Sequence, residues 1–195
     1  MKRSSSKVIF TDALCLFIIC LVITFAVAGT RSVFKDRIAK QEWEQTQSVM
    51  SQLIKADDFQ EVKVAGDNQG YQALDSGGKT VGYLFVTKAY GYGSDVSVMS
   101  AVMDGKVIGV DVLDASNETP GLGQNVTKKE FIDQFDGTDE TLEVVKNDPA
   151  NKNQVEAVTG ATKSSNAVAT SVKEALALFE PVSYTHLTLP TILLV

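Results

Sequence analysis

Histidine, cysteine and tryptophan are scarce in this 195-residue chain, which has one His, two Cys and one Trp. Two cysteines exclude a disulfide-dense scaffold and a multi-cysteine zinc site, and one histidine excludes a histidine-rich metal centre. Positive charge is in deficit, with 18 Lys and Arg against 24 Asp and Glu and a net charge of −6. Nothing here resembles the basic footprint of a nucleic-acid binder. At 44% hydrophobic residues the chain is too apolar to be disordered. Its length suits one domain with a core of its own.

These averages blend a domain with two unlike ends. Ala13 to Gly29 reads ALCLFIICLVITFAVAG, with Thr24 the only clearly polar side chain. Extended by Val8 to Phe10, the run can cross a hydrocarbon core of about 30 Å. Lys2, Arg3 and Lys7 precede it, as in a signal anchor. A cleaved signal peptide has the same charged start, but the apolar run is long for one and no A-x-A-like site follows, so a retained anchor is expected. Bulky Phe17, Ile18 and Ile19 before Cys20 argue against a lipoprotein signal. Cys15 and Cys20 lie in the span and do not read as a redox pair. Arg31, Lys35, Arg37 and Lys40 follow the span, so basic residues flank both ends and do not settle orientation. At the other end, VSYTHLTLPTILLV from Val182 lacks charge and breaks the preceding pattern. Its first residues back-translate into a transposase-type sequencing adapter, so residues 182–195 are expected to be an artefact, the alternative being a hydrophobic tail strand. The one histidine, His186, falls there.

The expected divisions are an anchor over 1–29, a helical stalk over 30–60, a folded domain over 61–181 and the suspect tail. The anchor takes three basic residues and one acidic with it, so the remaining domain is more acidic than the whole chain. Val33 to Lys55 lacks Gly and Pro and predicts a helix with a weak apolar stripe. Strands are predicted at Tyr71–Leu74, Val81–Ala89, Val96–Met103 and Val107–Leu113, with a turn at Asp75–Gly78 and a two-residue hairpin at Asp104-Gly105. Val96, Val98 and Val102 alternate with polar or flexible residues, and so do Ile108, Val110 and Val112, which gives each strand one apolar face. Thr127 with Glu130 reads as a capping box opening a short helix to Phe135. Leu142–Val145 and Val155–Val158 read as short strands, and Ser164–Phe179 as a final helix. This order predicts an α+β fold with an antiparallel sheet and flanking helices.

Two glycine-containing polar segments carry the functional signal. Asn117-Glu118-Thr119-Pro120-Gly121-Leu122-Gly123 follows a strand, and its glycines and proline fix a loop that a ligand can approach closely. A plain strand-to-helix turn explains the same composition. Thr159-Gly160-Ala161-Thr162-Lys163-Ser164-Ser165 joins an apolar strand to the last helix. Thr162, Ser164 and Ser165 are candidate N-caps, and the helix start favours a phosphate. Capping alone is the competing explanation. No Gly-Lys-Ser/Thr phosphate loop of the nucleoside-triphosphatase type is present.

Taken together, Glu118-Thr119-Pro120-Gly121-Leu122-Gly123 and Thr159-Gly160-Ala161-Thr162 resemble the motifs of the covalent FMN-binding domain. That domain occurs in the G subunit of the Rnf ion-translocating electron-transport complex and in the C subunit of the Na⁺-translocating NADH:quinone reductase. Tyr90-Gly91-Tyr92-Gly93, Val107-Ile108-Gly109-Val110 and Ser164-Ser165-Asn166-Ala167-Val168 fit the same pattern. The resemblance implies FMN esterified through its phosphate to Thr162, with Thr159, Gly160, Ala161 and Ser165 around the attachment. It further implies a flavin lying against Glu118, Thr119, Gly121, Leu122 and Gly123, with Thr119 and Leu122 as contacts. A separate FAD-dependent flavin transferase with Mg²⁺ would install the group, so Thr162 is an acceptor and no residue is expected to be catalytic. Ser116 stands where the family often has histidine, and Thr159 where serine is commoner. The implied protein is a membrane-anchored electron carrier among the other membrane subunits of a complex, with no nucleic-acid partner, no metal, and its domain on the extracytoplasmic side. The short length favours the Rnf type over the quinone-reductase type. A free-standing extracellular carrier and a non-flavin binding module are the rival readings.

Overall fold

Uninterrupted helix-forming sequence from the N-terminus to Leu53 has no Pro and a lone Gly29 to interrupt it. In the computed structural model, which describes residues 5–187, this stretch is one helix, α1 (Ser5–Leu53). Two compact units divide at Gln47/Ser48.

In the first unit, Ile9–Thr30 is long and apolar enough to cross a membrane. Its side chains, including Phe10, Phe17 and Phe25, are exposed, as suits a helix whose solvent is lipid. The hydroxyls of Thr24 and Thr30 donate to the carbonyls of Cys20 and Ala26, at 2.7 and 2.8 Å, which removes two polar groups from that surface. Cys15 and Cys20 are free thiols.

The second unit begins at Ser48, earlier than the residue-61 boundary expected from sequence. Met50 and Ile54 are buried in its core. A five-stranded antiparallel sheet follows in simple order: β1 (Asp58–Val62), β2 (Gln69–Leu74), β3 (Thr80–Tyr90), β4 (Asp95–Met103) and β5 (Lys106–Asp114). A two-stranded parallel sheet joins β6 (Glu143–Val145) to β7 (Gln154–Glu156). The helices are the short α2 (Lys129–Ile132), between 3₁₀ turns at Gly123–Thr127 and Asp133–Phe135, and α3 (Thr162–Leu187).

Both faces of the large sheet are covered. Val96, Val98 and Val102 of β4 belong to the core shared with Val168, Val172 and Leu176 of α3, while Met99 and Ala101 pack with Met50 and Ile54. Met99 is therefore as buried as the valines that alternate with it. The Asp104-Gly105 hairpin forms as expected, with φ of 52° and 72°, the left-handed pair that a type I′ turn requires.

The structure corrects several sequence expectations. A register shift between Ala101 and Val102 places Val107, Val110 and Val112 in the α3-side core and sends Ile108 to the other face, so the apolar face of β5 does not follow simple alternation. Thr127 does not cap α2. It ends a 3₁₀ turn, its hydroxyl donates to the Gln124 carbonyl at 2.9 Å, and the cap position is Lys128. Helix α3 starts at Thr162, so Thr162, Ser164 and Ser165 lie inside its first turns and none is the N-cap. Nor does α3 stop at Phe179. It continues to Leu187, and Val182 is buried in the core. Residues 188–195 of the expected tail lie outside the described residues.

The topology also sets where the site can be. Strands β3 and β5 both run antiparallel to β4, so they are parallel to each other and their C-terminal loops leave the same end of the sheet.

Candidate functional site

The two motif segments share a local geometry. In the first, the Leu122 N–H donates to the Thr119 carbonyl at 3.1 Å, with Pro120 and Gly121 between them and Gly121 at φ 74°. Proline then glycine at the central positions, with positive φ at the second, is the signature of a type II turn. In the second, the Ala161 N–H donates to the Val158 carbonyl at 2.9 Å across Thr159 and Gly160, with Gly160 at φ 79°. The turns touch: a Cβ on Gly160 would lie 3.1 Å from Leu122 Cδ2.

Glu118 lies at the centre of the site. It is 1% exposed, and both carboxylate oxygens accept hydrogen bonds. The backbone N–H of Tyr92 donates to Oε1 at 2.9 Å and that of Gly93 at 3.0 Å, both from the loop after β3. The Ser164 hydroxyl, in the first turn of α3, donates to Oε2. Burial pushes the carboxyl up, but the Ser164 hydroxyl and the N–H groups of Gly93, Tyr92 and Ser94 outweigh it and hold the group below the ordinary carboxylate range. Glycine makes the room: a Cβ on Gly123 would lie 2.8 Å from both Glu118 Oε2 and Ser164 Oγ, and one on Gly91 would also strike the carboxylate.

The first turn of α3 is fixed from inside. The Ser165 hydroxyl accepts from the Val158 N–H and donates to the Ala161 carbonyl, both at 3.0 Å. With Ser164 and Ser165 buried, Thr162 and Lys163 point outward and are exposed. Lys163 Nζ lies 6.0 Å from the centroid of the Tyr92 ring. Tyr92 and Leu122 are exposed apolar groups beside them, at 67% and 45%. An open cavity of about 420 Å³, lined by Asn125, Lys128, Phe131, Gln134 and Val158 among others, adjoins the Thr159–Ala161 turn through Val158.

The structure thus brings the predicted residues together in two layers. Thr119, Gly121, Leu122, Thr159, Gly160 and Thr162 form the exposed layer, while Glu118, Gly123, Ala161 and Ser165 lie buried beneath it. The Glu118 oxygens are turned toward the protein's own donors. Ser116 has its N–H on Asp114 Oδ1 at 2.9 Å and its carbonyl on the Gln124 amide, also at 2.9 Å, so its backbone shapes the loop. Sequence reasoning did not assign Gly91, Tyr92, Gly93 or Ser164 to the site. The Gly-Tyr-Gly spacing was the available signal. Among the described residues, no cluster of three or more His, Cys, Asp and Glu could hold a metal ion.

Residues 91–177 match the FMN-binding domain family, and residues 1–53 match the RnfG N-terminal region. The chain is 35% identical to the G subunit of the proton-translocating ferredoxin:NAD(+) oxidoreductase complex of Clostridium ljungdahlii, over 90% of this chain and 94% of that one. It is 34% identical to the G subunit of the Na(+)-translocating ferredoxin:NAD(+) oxidoreductase complex of Acetobacterium woodii, over 91% and 94%. Among solved structures, the C subunit of the Na(+)-translocating NADH-quinone reductase of Parabacteroides distasonis shares the fold, with a TM-score of 0.52, 21% identity and coverage of 70% of this chain and 81% of that one.

Proposed function

The chain belongs to the G-subunit family of Rnf complexes and carries its FMN-binding domain, and from that premise we propose that it holds FMN covalently on Thr162. It is a membrane-associated electron-transfer flavoprotein of such a complex. The observation that carries the attachment is the exposed Thr162 in the first turn of α3, with the Pro120-Gly121 and Thr159-Gly160 turns in contact beside it.

The residues present fit the group. Thr162 Oγ is open to an incoming phosphoryl donor, and the N-terminal amides and dipole of α3 favour the charge that a phosphodiester retains. Gly160 brings the turn against Leu122 without a clash. Leu122 and Tyr92 offer an apolar surface for a planar ring, and Lys163 adds a positive charge next to the ester. Thr162 Oγ would hold the group as a phosphodiester, which a transferase using FAD and Mg²⁺ would form by displacing AMP from FAD and taking up the hydroxyl proton. Once attached, the flavin supplies the reversible electron transfer; the protein supplies position, charge and partial shielding. Thr119 and Thr159 flank the site and can hydrogen-bond to it, while Ala161, Ser165, Gly121 and Gly123 set the backbone. The electron donor and acceptor are other members of the membrane complex, and the domain faces the extracytoplasmic side, where a dissociable FMN would be lost.

The test is the intact mass of the full chain after co-expression with a flavin transferase. A gain equal to FMN less water, abolished by Thr162→Ala, is expected. An unshifted mass, or a gain that survives the substitution, would refute the assignment.

A further inference from the structure

Buried carboxylates are costly unless their oxygens find donors. Both oxygens of Glu118 find them among the described residues, from two backbone N–H groups and one hydroxyl. They come from the loop after β3 and from the first turn of α3, while Glu118 itself sits in the loop after β5. One side chain therefore joins three segments. The chemistry of the partners dictates its type. The Tyr92 N–H also reaches Oε2, at 3.2 Å, so backbone N–H groups, which can only donate, face both oxygens and the central group must accept on each. A glutamine of the same shape would turn its NH₂ toward one of these donors. Gly91 and Gly123 keep the space around the carboxylate clear.

Ser164 lies two residues past Thr162 in the same helical turn. A hydrogen bond that holds Ser164 inward also fixes the rotation of that turn, and with it the outward direction of Thr162. Ser165 secures the same turn from the Val158 side. We propose that Glu118 is the positioning residue of the attachment site: it presents Thr162 to the phosphoryl donor by tying the first turn of α3 to the Tyr92-Gly93 loop. This rests on the reading of Thr162 as the acceptor. Glu118 performs no step of the transfer, and its role is to hold the acceptor hydroxyl in the geometry that attack requires.

The experiment uses the full chain in detergent micelles with flavin transferase, FAD and Mg²⁺, following the rate of FMN mass gain. Glu118→Gln is expected to slow modification at saturating FAD by about tenfold or more, with the KM for FAD unchanged. Ser164→Ala, which removes the hydrogen bond joining the carboxylate to α3, is expected to slow it to a similar degree. Val168→Ala, a core change on the same helix, lowers stability but keeps the wild-type rate, which separates positioning from general loosening. In parallel, selective ¹⁵N labelling reads the amides directly. Glu118→Gln should move the Tyr92 and Gly93 amide protons upfield and shift the Lys163 and Ser164 amides with them. A Glu118→Gln chain modified within about twofold of the wild-type rate, or α3 amides unmoved by it, would overturn the proposal. A wild-type chain that takes no FMN while the amide coupling holds refutes instead the acceptor reading, and the positioning role falls with it.

Discussion

Gly123 provides a direct test of the packing around Glu118 from the glycine side. An alanine Cβ there would sit 2.8 Å from Glu118 Oε2, 2.8 Å from Ser164 Oγ and 2.9 Å from Glu118 Cβ. These atoms cannot simply rotate away, because Glu118 and Ser164 are each 1% exposed and bonded to one another. The added methyl must therefore push the serine and the carboxylate apart or shift the loop. Breaking a hydrogen bond to a buried charge costs about 1.5–3 kcal/mol, and overpacking adds about 1–3 kcal/mol. Relaxation of the loop recovers part of both, which leaves a net cost of about 3 kcal/mol for Gly123→Ala. For a unit of this size that lowers the melting temperature by about 10 °C. The assay is thermal unfolding followed by circular dichroism, with Gly77→Ala as the control. Gly77 lies in an exposed turn where a Cβ meets only the Asp75 side chain, at 3.2 Å, so its melting temperature should hold within about 2 °C. A Gly123→Ala protein that melts with the control would refute the claim that this glycine is required by the carboxylate beside it.

Three other outcomes follow from the same structure. The folded carboxyl of Glu118 is held below its unfolded value, so its stabilisation is complete above the ordinary carboxylate range and is lost as pH falls through the folded value; melts taken at successively lower pH should decline, and Glu118→Gln should flatten that decline. Met50→Ala should cost about 2–5 kcal/mol in urea unfolding, because Met50 is fully buried against the sheet; a cost within about 0.5 kcal/mol would return this residue to a solvated stalk. Gly160→Ala places a side chain at φ 79° and 3.1 Å from Leu122 Cδ2, so it should destabilise the domain by about 1–2 kcal/mol and slow FMN attachment in the mass assay.

Much of the sheet was legible because its strands carry their burial in their sequence. Val96, Val98 and Val102 mark the face toward α3, and Asp104-Gly105 marks the hairpin. Strand β1 carries no such mark. Asp58, Gln60 and Glu61 are exposed on an edge strand held by pairing with β2, so its sequence lacks a hydrophobic alternation to read. The bulge opposite Ala101 and Val102 was equally hidden, since Val107 and Ile108 are both apolar and either can face α3. The Thr127–Glu130 spacing fits a capping box, but the chain enters α2 through a 3₁₀ turn that uses the threonine hydroxyl locally. At the site, the glycines and the proline identified the two turns. The partners of Glu118 could not be read the same way, because two of them are backbone N–H groups, which leave no side-chain signature.

The separation of the motifs along the chain is a consequence of the sheet. Because β3 and β5 each pair antiparallel with β4, the Tyr90–Ser94 and Ala115–Gly123 loops emerge together although the β4–β5 hairpin lies between them. Helix α3 then packs on the face formed by Val96, Val98 and Val102 and brings Ser164 to the same end. Each part of this junction is unfavourable by itself: a buried carboxylate without donors, glycines that lower local stiffness, and a serine hydroxyl removed from water. Assembled, the donors satisfy the carboxylate, the glycines admit it, and the serine finds its acceptor. The cost of losing any one falls on the others, since a buried charge left with an unmet lone pair is penalised more than its hydrogen bond was worth. The Thr162 hydroxyl, the acceptor proposed above, lies on an exposed residue, so its orientation must be supplied by buried neighbours in the same turn, and Ser164 and Ser165 are the residues that supply it.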